Sequence, residues 1–500
     1  MNAVKKSRLS RFFMLPAGAF AAALIACSPV GPDYRTPQPE MPAQWGEAPT
    51  VLRVGPAEAI HCWWTLFQDP VLNSLIARAV VANPDLLIAE TRIREARAQR
   101  RLTVAAGLPS LEVGGSATGS RRSENISSSS DSTRDLFQAD FDAAWEIDVF
   151  GGARRQLEAA EASLAATVED RRDVLITLES EVALNYLELR TSQQRRAIAL
   201  ETIRTQEQTV ALVRGRWQLG LGNQLETVQA ETQLSLTKSQ IPALETTAIQ
   251  AMHRLALLLG RQPQALKTEL AGAASLPPIP PRLPATLPSD LLRQRPDIRS
   301  AERQLAAATA TVGAATTELF PRFSLSALMG LQSASLADLV TSGSRFWSVG
   351  PTVRWPLFDG GRARATVEIS EARRDRARTT YEKSVLTALT EAEDALVALD
   401  REQTTRSLLN EAVVSSQQAV EIARGQYTAG LTPFLNVLLS ESTLYQSQDR
   451  LALSNQQLAV AMITLYKALG GGWQIETAPP AVSLSDDQSE PRQQHARNHR

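Results

Sequence analysis

The stretch that decides the fold is Ala153–Trp217, ARRQLEAAEASLAATVEDRRDVLITLESEVALNYLELRTSQQRRAIALETIRTQEQTVALVRGRW. It holds no proline and a single glycine, Gly215. Apolar side chains at Val168, Leu175, Leu178, Val182, Tyr186 and Leu189 recur in steps of three, four or seven, close to the 3.5 repeat of a coiled coil. Alanines at 159, 160, 162, 165 and 166 let neighbouring helices approach closely. A helix from Ala153 to Arg214 would be about 93 Å long at about 1.5 Å per residue. Ordinary globular helices run roughly 10–14 residues, so such a rod is a spacer or the wall of an elongated body.

The chain builds the rod twice. Residues 362–429 also lack proline and carry one glycine, Gly425; Val385, Leu389, Ala392, Leu396 and Leu399 step 4-3-4-3. Gly425 lies 210 residues after Gly215, Trp355 after Trp145, and Gly430 after Gly220. GLGNQLETVQAETQL from Gly220 aligns without a gap on GLTPFLNVLLSESTL from Gly430, and NPDLLIAETRIREARA from Asn83 resembles RPDIRSAERQLAAATA from Arg295. A tandem duplication of this length predicts one body with two similar halves. After each rod a returning helix is expected. Asn223 caps the first, with Glu226 three residues on. Thr432 caps the second, with Pro433 at its first position.

Between the helical segments the period changes to two. Leu111, Val113, Gly115, Ala117 and Gly119 alternate with Glu112, Gly114, Ser116, Thr118 and Ser120. Phe137, Ala139, Phe141, Ala143 and Trp145 alternate with polar residues that include Asp140 and Asp142. The second half repeats the pattern at Phe323–Leu331 and Trp347–Trp355, with Arg322 and Arg354 on the polar side. Period two over such lengths is a strand with one wet and one apolar face. The lengths suit tilted membrane strands of about 9–11 residues. Aromatic residues gather at the strand ends, as at a membrane interface. The alternative is a pair of soluble hairpins packed on a core. Four strands cannot close a barrel in lipid without open edges, so the membrane reading requires several copies, three being the smallest plausible number.

The net charge of −1 points to no nucleic-acid partner. Lys5, Lys6, Arg8 and Arg11 precede an apolar run over residues 12–26, too short to span a bilayer comfortably but suited to a signal peptide over residues 1–26. The run ends in Leu24-Ile25-Ala26-Cys27, which resembles a bacterial lipobox with Cys27 as the acylated first mature residue; the alternative is an ordinary signal peptide with an incidental cysteine. Cys62, the other cysteine, is expected to be a small buried hydrophobe. No enzyme motif stands out. His495 and His499 are four apart but lack a cysteine or acidic partner, so neither a metal site nor a cofactor is expected. Residues 27–60 read as an extended, anchored lead-in and 61–260 as the first repeat, with a hairpin at about 110–147 and a helix pair over 151–259. A proline-rich link over 261–288 leads to the second repeat over 289–472, with a hairpin at about 322–356 and a helix pair over 360–469. The polar tail over 473–500 reads as disordered.

The order of lipobox, WWTLFQDPVLNSLI, NPDLLIAETRIREARA, hairpin and WEIDVFGG, followed by RPDIRSAERQL, WPLFDGG and YTAGLTPFLNVL, resembles the TolC-like outer membrane efflux factors, specifically the lipoprotein branch serving tripartite RND-type pumps. The similarity covers roughly residues 55–470. It implies a mainly α protomer with a small β part: long antiparallel helices plus four transmembrane strands. It implies a homotrimer with a twelve-stranded barrel on a twelve-helix periplasmic tunnel, set in outer membrane lipids. A periplasmic adaptor and an inner-membrane RND-type pump are the implied partners. The function implied is passive conduction of drugs or other small molecules to the exterior. The resemblance places a gate at the tip turns marked by Gly220 and Gly430. Asn436 and Leu439 stand where relatives carry acidic residues, so the acidic ring is absent or reduced. Glu226, Arg424, Tyr427 and Thr432 are the candidates for holding the gate closed. Glu112, Asp140, Asp142, Arg322 and Arg354 would line the barrel. The competing reading is a lipid-anchored periplasmic coiled-coil adaptor that does not cross the membrane.

Overall fold

The computed structural model describes residues 29–46, 52–54, 61–121, 123, 133–272, 276–278, 283–285 and 288–473. Its strands are β1 (Leu52–Val54), β2 (Ser110–Arg121), β3 (Thr133–Ile147), β4 (Leu283–Ala285), β5 (Arg322–Ser333) and β6 (Arg345–Arg354). Its helices are α1 (Pro70–Ala82), α2 (Pro84–Ala106), α3 (Gly152–Gln218), α4 (Gln224–Leu258), α5 (Lys267–Leu270), α6 (Leu291–Gln294), α7 (Pro296–Thr317), α8 (Arg362–Thr428) and α9 (Phe434–Ala468).

The two rods α3 and α8 are each 67 residues long, and their returning helices α4 and α9 are each 35. At about 1.5 Å per residue a rod spans about 100 Å. Each rod starts at a glycine in the left-handed region, Gly151 at φ 82° and Gly361 at φ 91°. An aspartate upstream satisfies the first free amides: Asp148 accepts from Ala153 N and Arg154 N, and Asp359 from Gly361 N and Ala363 N. Each rod ends in a Schellman turn. Gly220 and Gly430 both have φ 74°, and Leu221 N and Leu431 N donate back to Arg216 O and Gln426 O at 2.8 Å.

The core lies midway along the body. Trp63 and Phe67, on a 3-10 turn over Trp63–Phe67, are fully buried with Leu72, Leu75, Ile76, Tyr186 and Tyr466. Trp63 stacks on Tyr466 at 5.9 Å. Tyr186 donates to Asp69 Oδ2 at 2.6 Å, and the other oxygen of Asp69 caps α1. Asn83 breaks the helical run before Pro84: its Oδ1 caps α2 while its Nδ2 donates to Leu258 O. Cys62 differs from expectation. It is exposed, because the Trp63 and Phe67 rings of the turn point inward and leave the cysteine that precedes them facing out; partial burial beside Glu179 still pushes its thiol pKa up.

The two hairpins form one antiparallel sheet in the order β2-β3-β5-β6. Trp145 pairs with Leu325, Phe141 with Met329 and with Val113, and Met329 with Trp347. The apolar residues of all four strands therefore share one face. No described element covers that face: Leu111, Val113 and Trp347 are 71%, 73% and 78% exposed. This excludes soluble hairpins packed on a core. A short parallel pair, β1 with β4, was not foreseen; it joins segments more than 200 residues apart.

Residues 29–46 run as an extended strap from the base of the sheet along the helices. Val30 N donates to Phe150 O, Arg155 pairs with Asp33 at 2.7 Å, Tyr34 donates to Glu302, and Gly46 N donates to Glu393. The tail beyond residue 473 and Cys27 lie outside the described residues. The last described residue, Trp473, is buried beneath the guanidinium groups of Arg172 and Arg299, which both pair with Glu169.

Candidate functional site

Two places carry the candidate residues, one at each end of the rods. The first is the polar face of the sheet. Glu112 lies opposite Asp142, and Arg322 opposite Arg354. Asp140 lies between two glycines, Gly114 on β2 and Gly330 on β5. A Cβ on Gly330 would meet Ala139 O at 2.3 Å, so glycine is required there; a Cβ on Gly114 would sit 3.2 Å from Asp140 Oδ2. Gln138 Nε2 holds the other oxygen of Asp140 at 3.0 Å. The five residues thus share one face, with the acids towards the middle of the sheet and the arginines at the end nearest the rods. Trp145 and Trp355 close that end; their indole N–H groups donate to Gly107 O and Leu319 O at 3.2 Å.

The second place is the far end of the rods. Val210, Val213, Ala230, Ala423, Tyr427, Phe434 and Val437 form a small apolar cluster that joins both halves. Tyr427 donates to Glu226 Oε2 at 2.8 Å, with the Arg216 guanidinium 4.9 Å from its ring. Burial and the Glu226 carboxylate push the Tyr427 phenol up to about 12. Arg424 donates twice to Glu441 Oε1, at 2.7 and 3.0 Å, and Thr209 on the first rod donates to the same oxygen at 3.0 Å. The structure therefore brings Glu226, Arg424 and Tyr427 into one junction between the halves.

Thr432, Asn436 and Leu439 stand apart from this junction. Thr432 does not cap α9. Pro433, extended at ψ 154°, takes the cap position, and the Thr432 hydroxyl accepts from Asn436 Nδ2 at 2.7 Å. Phe434, buried against the Tyr427 ring at 5.5 Å, marks where the helix begins. Asn436 and Leu439 are exposed. Asn223 caps α4 as expected, accepting from Glu226 N.

Glu441, Thr209 and Arg216 were missed. The duplication holds a signal for Glu441: Arg424 and Glu441 recur 210 residues earlier as Arg214 and Glu231, which also pair. Only the second-half carboxylate is buried, at 5% side-chain exposure against 42% for Glu231.

A family model described as Outer membrane efflux protein matches residues 75–261 and 287–471. The cation efflux system protein CusC of Escherichia coli O6:H1 is 35% identical over 456 residues, 91% of this chain and 97% of the relative. The pyoverdine export outer membrane protein OpmQ of Pseudomonas putida is 35% identical over 465 residues, 91% and 96%. Among solved structures, the outer-membrane channel OprN has a TM-score of 0.84 at 35% identity, covering 89% of this chain and 99% of that one. With the uncovered apolar sheet at one end of the rods and the glycine turns at the other, these matches show that the chain belongs to the outer membrane efflux protein family and is an efflux channel of the outer membrane.

Proposed function

We propose that three copies of the chain close their sheets into a twelve-stranded barrel and their helices into a twelve-helix periplasmic tunnel, the exit duct of a tripartite pump. The observation that carries this is the sheet. Its apolar face is bare, and its outer strands β2 and β6 present unpaired backbone edges. Lipid accepts the face but not the edges, and closure by further copies satisfies both. Acyl chains on Cys27 anchor each copy. Pro29 lies against Gly151 at the base of the sheet.

The tip turns at Gly220 and Gly430 receive a periplasmic adaptor, which links the duct to an inner-membrane RND-type pump. The Tyr427–Glu226 and Arg424–Glu441–Thr209 contacts hold the tip closed at rest, while Thr432, Asn436 and Leu439 face the partner or the opening. Glu112, Asp140, Asp142, Arg322 and Arg354 line the water-filled barrel. The named relatives serve cation efflux and pyoverdine export. Such different cargoes fit a duct that conducts what an upstream pump selects, so the cargo here is a range of small molecules, drugs among them.

The test is topology. Cys62→Ser with a single cysteine at Ser127 is treated in intact cells with a membrane-impermeant maleimide. Labelling there, with none at a control cysteine replacing Asn223, supports the duct. Labelling at Ser127 only after the outer membrane is permeabilised overturns it.

A further inference from the structure

The duplication contains more than the fold: it holds the register in which one copy meets the next. Within the chain, β2 pairs with β3 and β5 with β6 in the same register once the halves are superposed, Ser110 with Ala144 and Arg322 with Arg354. The two tryptophan ties repeat likewise, Trp145 to Gly107 and Trp355 to Leu319. First-half strands therefore map onto second-half strands by a shift of 212 residues for β2 onto β5 and 210 for β3 onto β6. Within the four-stranded sheet the halves meet at one pairing, β3 with β5, in which Trp145 faces Leu325, Ala144 faces Ser326 and Asp142 faces Leu328.

We infer that this contact repeats between copies, β6 of one protomer pairing antiparallel with β2 of the next. Applying the two shifts puts Trp355 opposite the partner's Val113, Arg354 opposite the partner's Gly114 and Thr352 opposite the partner's Ser116. The inference rests on the proposed three-copy assembly and gives it an atomic register.

Three observations agree with it. Odd-numbered residues on β6 and β2 are apolar or glycine except Arg345 and Arg121 at the strand ends, so this register carries the apolar face across the boundary; a slip of one residue would set it against the polar face. β2 and β6 are the two edges of the sheet, and β2 is exposed along all twelve residues. Charge also fits. Arg354 lies opposite Arg322, a like-charge cross-strand pair that disfavours the isolated sheet. Neither arginine makes an ion pair among the described residues. In the inferred register Arg354 faces a glycine over which the Asp140 carboxylate leans, with Glu112 two residues along the same strand. Strands lie about 4.8 Å apart, so an arginine crossing one glycine reaches an acid on the strand beyond. The absence of a side chain at Gly114 leaves the guanidinium its path.

The experiment is cysteine crosslinking in the full-length protein carrying Cys62→Ser. Thr352→Cys is combined in turn with Ser116→Cys, Gly114→Cys and Thr118→Cys, and oxidised in outer membranes with copper phenanthroline. The expected result is intermolecular bands with Ser116→Cys, formed at least tenfold faster than with either neighbour. A faster reaction at Gly114→Cys or Thr118→Cys, or none at all in protein whose mass by light scattering is that of a trimer, overturns the register alone. Protein that is monomeric by light scattering overturns the assembly and the register together. A charge exchange adds a second reading. Arg354→Glu is expected to lower the temperature at which the trimer dissociates in detergent, and Asp140→Arg in the same chain to recover part of that loss; no recovery would remove the ion pair from the inference.

Discussion

The hydroxyl of Tyr427, in the last turn of the second rod, donates to the carboxylate of Glu226, in the first turn of the first half's returning helix, at 2.8 Å. Residues 201 positions apart are thereby tied at the end of the body farthest from the sheet. Replacing Tyr427 by Phe removes the bond and keeps the ring against Phe434. A hydrogen bond to a charged group is worth about 1.5–3 kcal/mol, and partial exposure puts this one at the lower end. The expected outcome is a several-fold rise in open probability in planar bilayers, with the same rise for Glu226→Gln. The double variant should open no more than either single one, because both remove one bond.

Arg424–Glu441 and Arg214–Glu231 are the same pair in the two halves, but only Glu441 is buried. Arg424→Ala leaves a buried carboxylate with Thr209 as its remaining donor, and the expected cost is about 2–3 kcal/mol. Arg214→Ala breaks a pair exposed at both ends and is expected to cost less than about 1 kcal/mol. Denaturant unfolding of the two variants side by side checks the difference; equal losses would show that burial does not separate the halves.

The strap gives a third contrast. Gly151 and Gly361 occupy the same turn and both have positive φ, so alanine at either is strained by about 1–2 kcal/mol. A Cβ at 151 also meets Pro29 at 2.6 Å, while at 361 nothing lies within 4 Å. Gly151→Ala is therefore expected to loosen the strap, seen as faster protease cleavage between residues 29 and 46. Gly361→Ala should leave that rate unchanged.

Rods, returning helices and strand faces were legible because each is written locally. A period of 3.5 or 2, a glycine pair and a repeated tryptophan need no knowledge of distant partners. The β3–β5 pairing was not, since nothing local in DLFQADFDAAW names the strand beside it. Cys62 and Thr432 were misjudged for a related reason. Which face of the Trp63–Phe67 turn points inward, and where α9 starts behind Pro433, are set by Tyr466 and Tyr427, which lie far along the chain or on another helix. At the tip, Glu226, Arg424 and Tyr427 could be named from the turns they flank. Glu441 becomes buried only when the first rod packs across it with Thr209.

Glu179 provides the last prediction. It sits on the first rod, 3% exposed, and a Cβ on Gly472 would lie 2.1 Å from its Oε2. Oε2 has no hydrogen-bond partner among the described residues. Burial alone pushes its carboxyl up to about 9. In the unfolded chain the carboxyl ionises near 4.3, so between about pH 4.5 and 9 the folded state holds a proton that the unfolded state has released. Unfolding is then increasingly favoured as pH rises through that window, by on the order of 1 kcal/mol per pH unit. Glu179→Gln removes the titration and keeps the shape. The variant is expected to match the parent at pH 4.5 and to become progressively more stable than it by pH 8. Urea midpoints of both proteins across this range measure the difference directly. A constant gap would mean that Glu179 is already ionised in the folded protein, with Gly472 and the turn before Trp473 arranged around a charge.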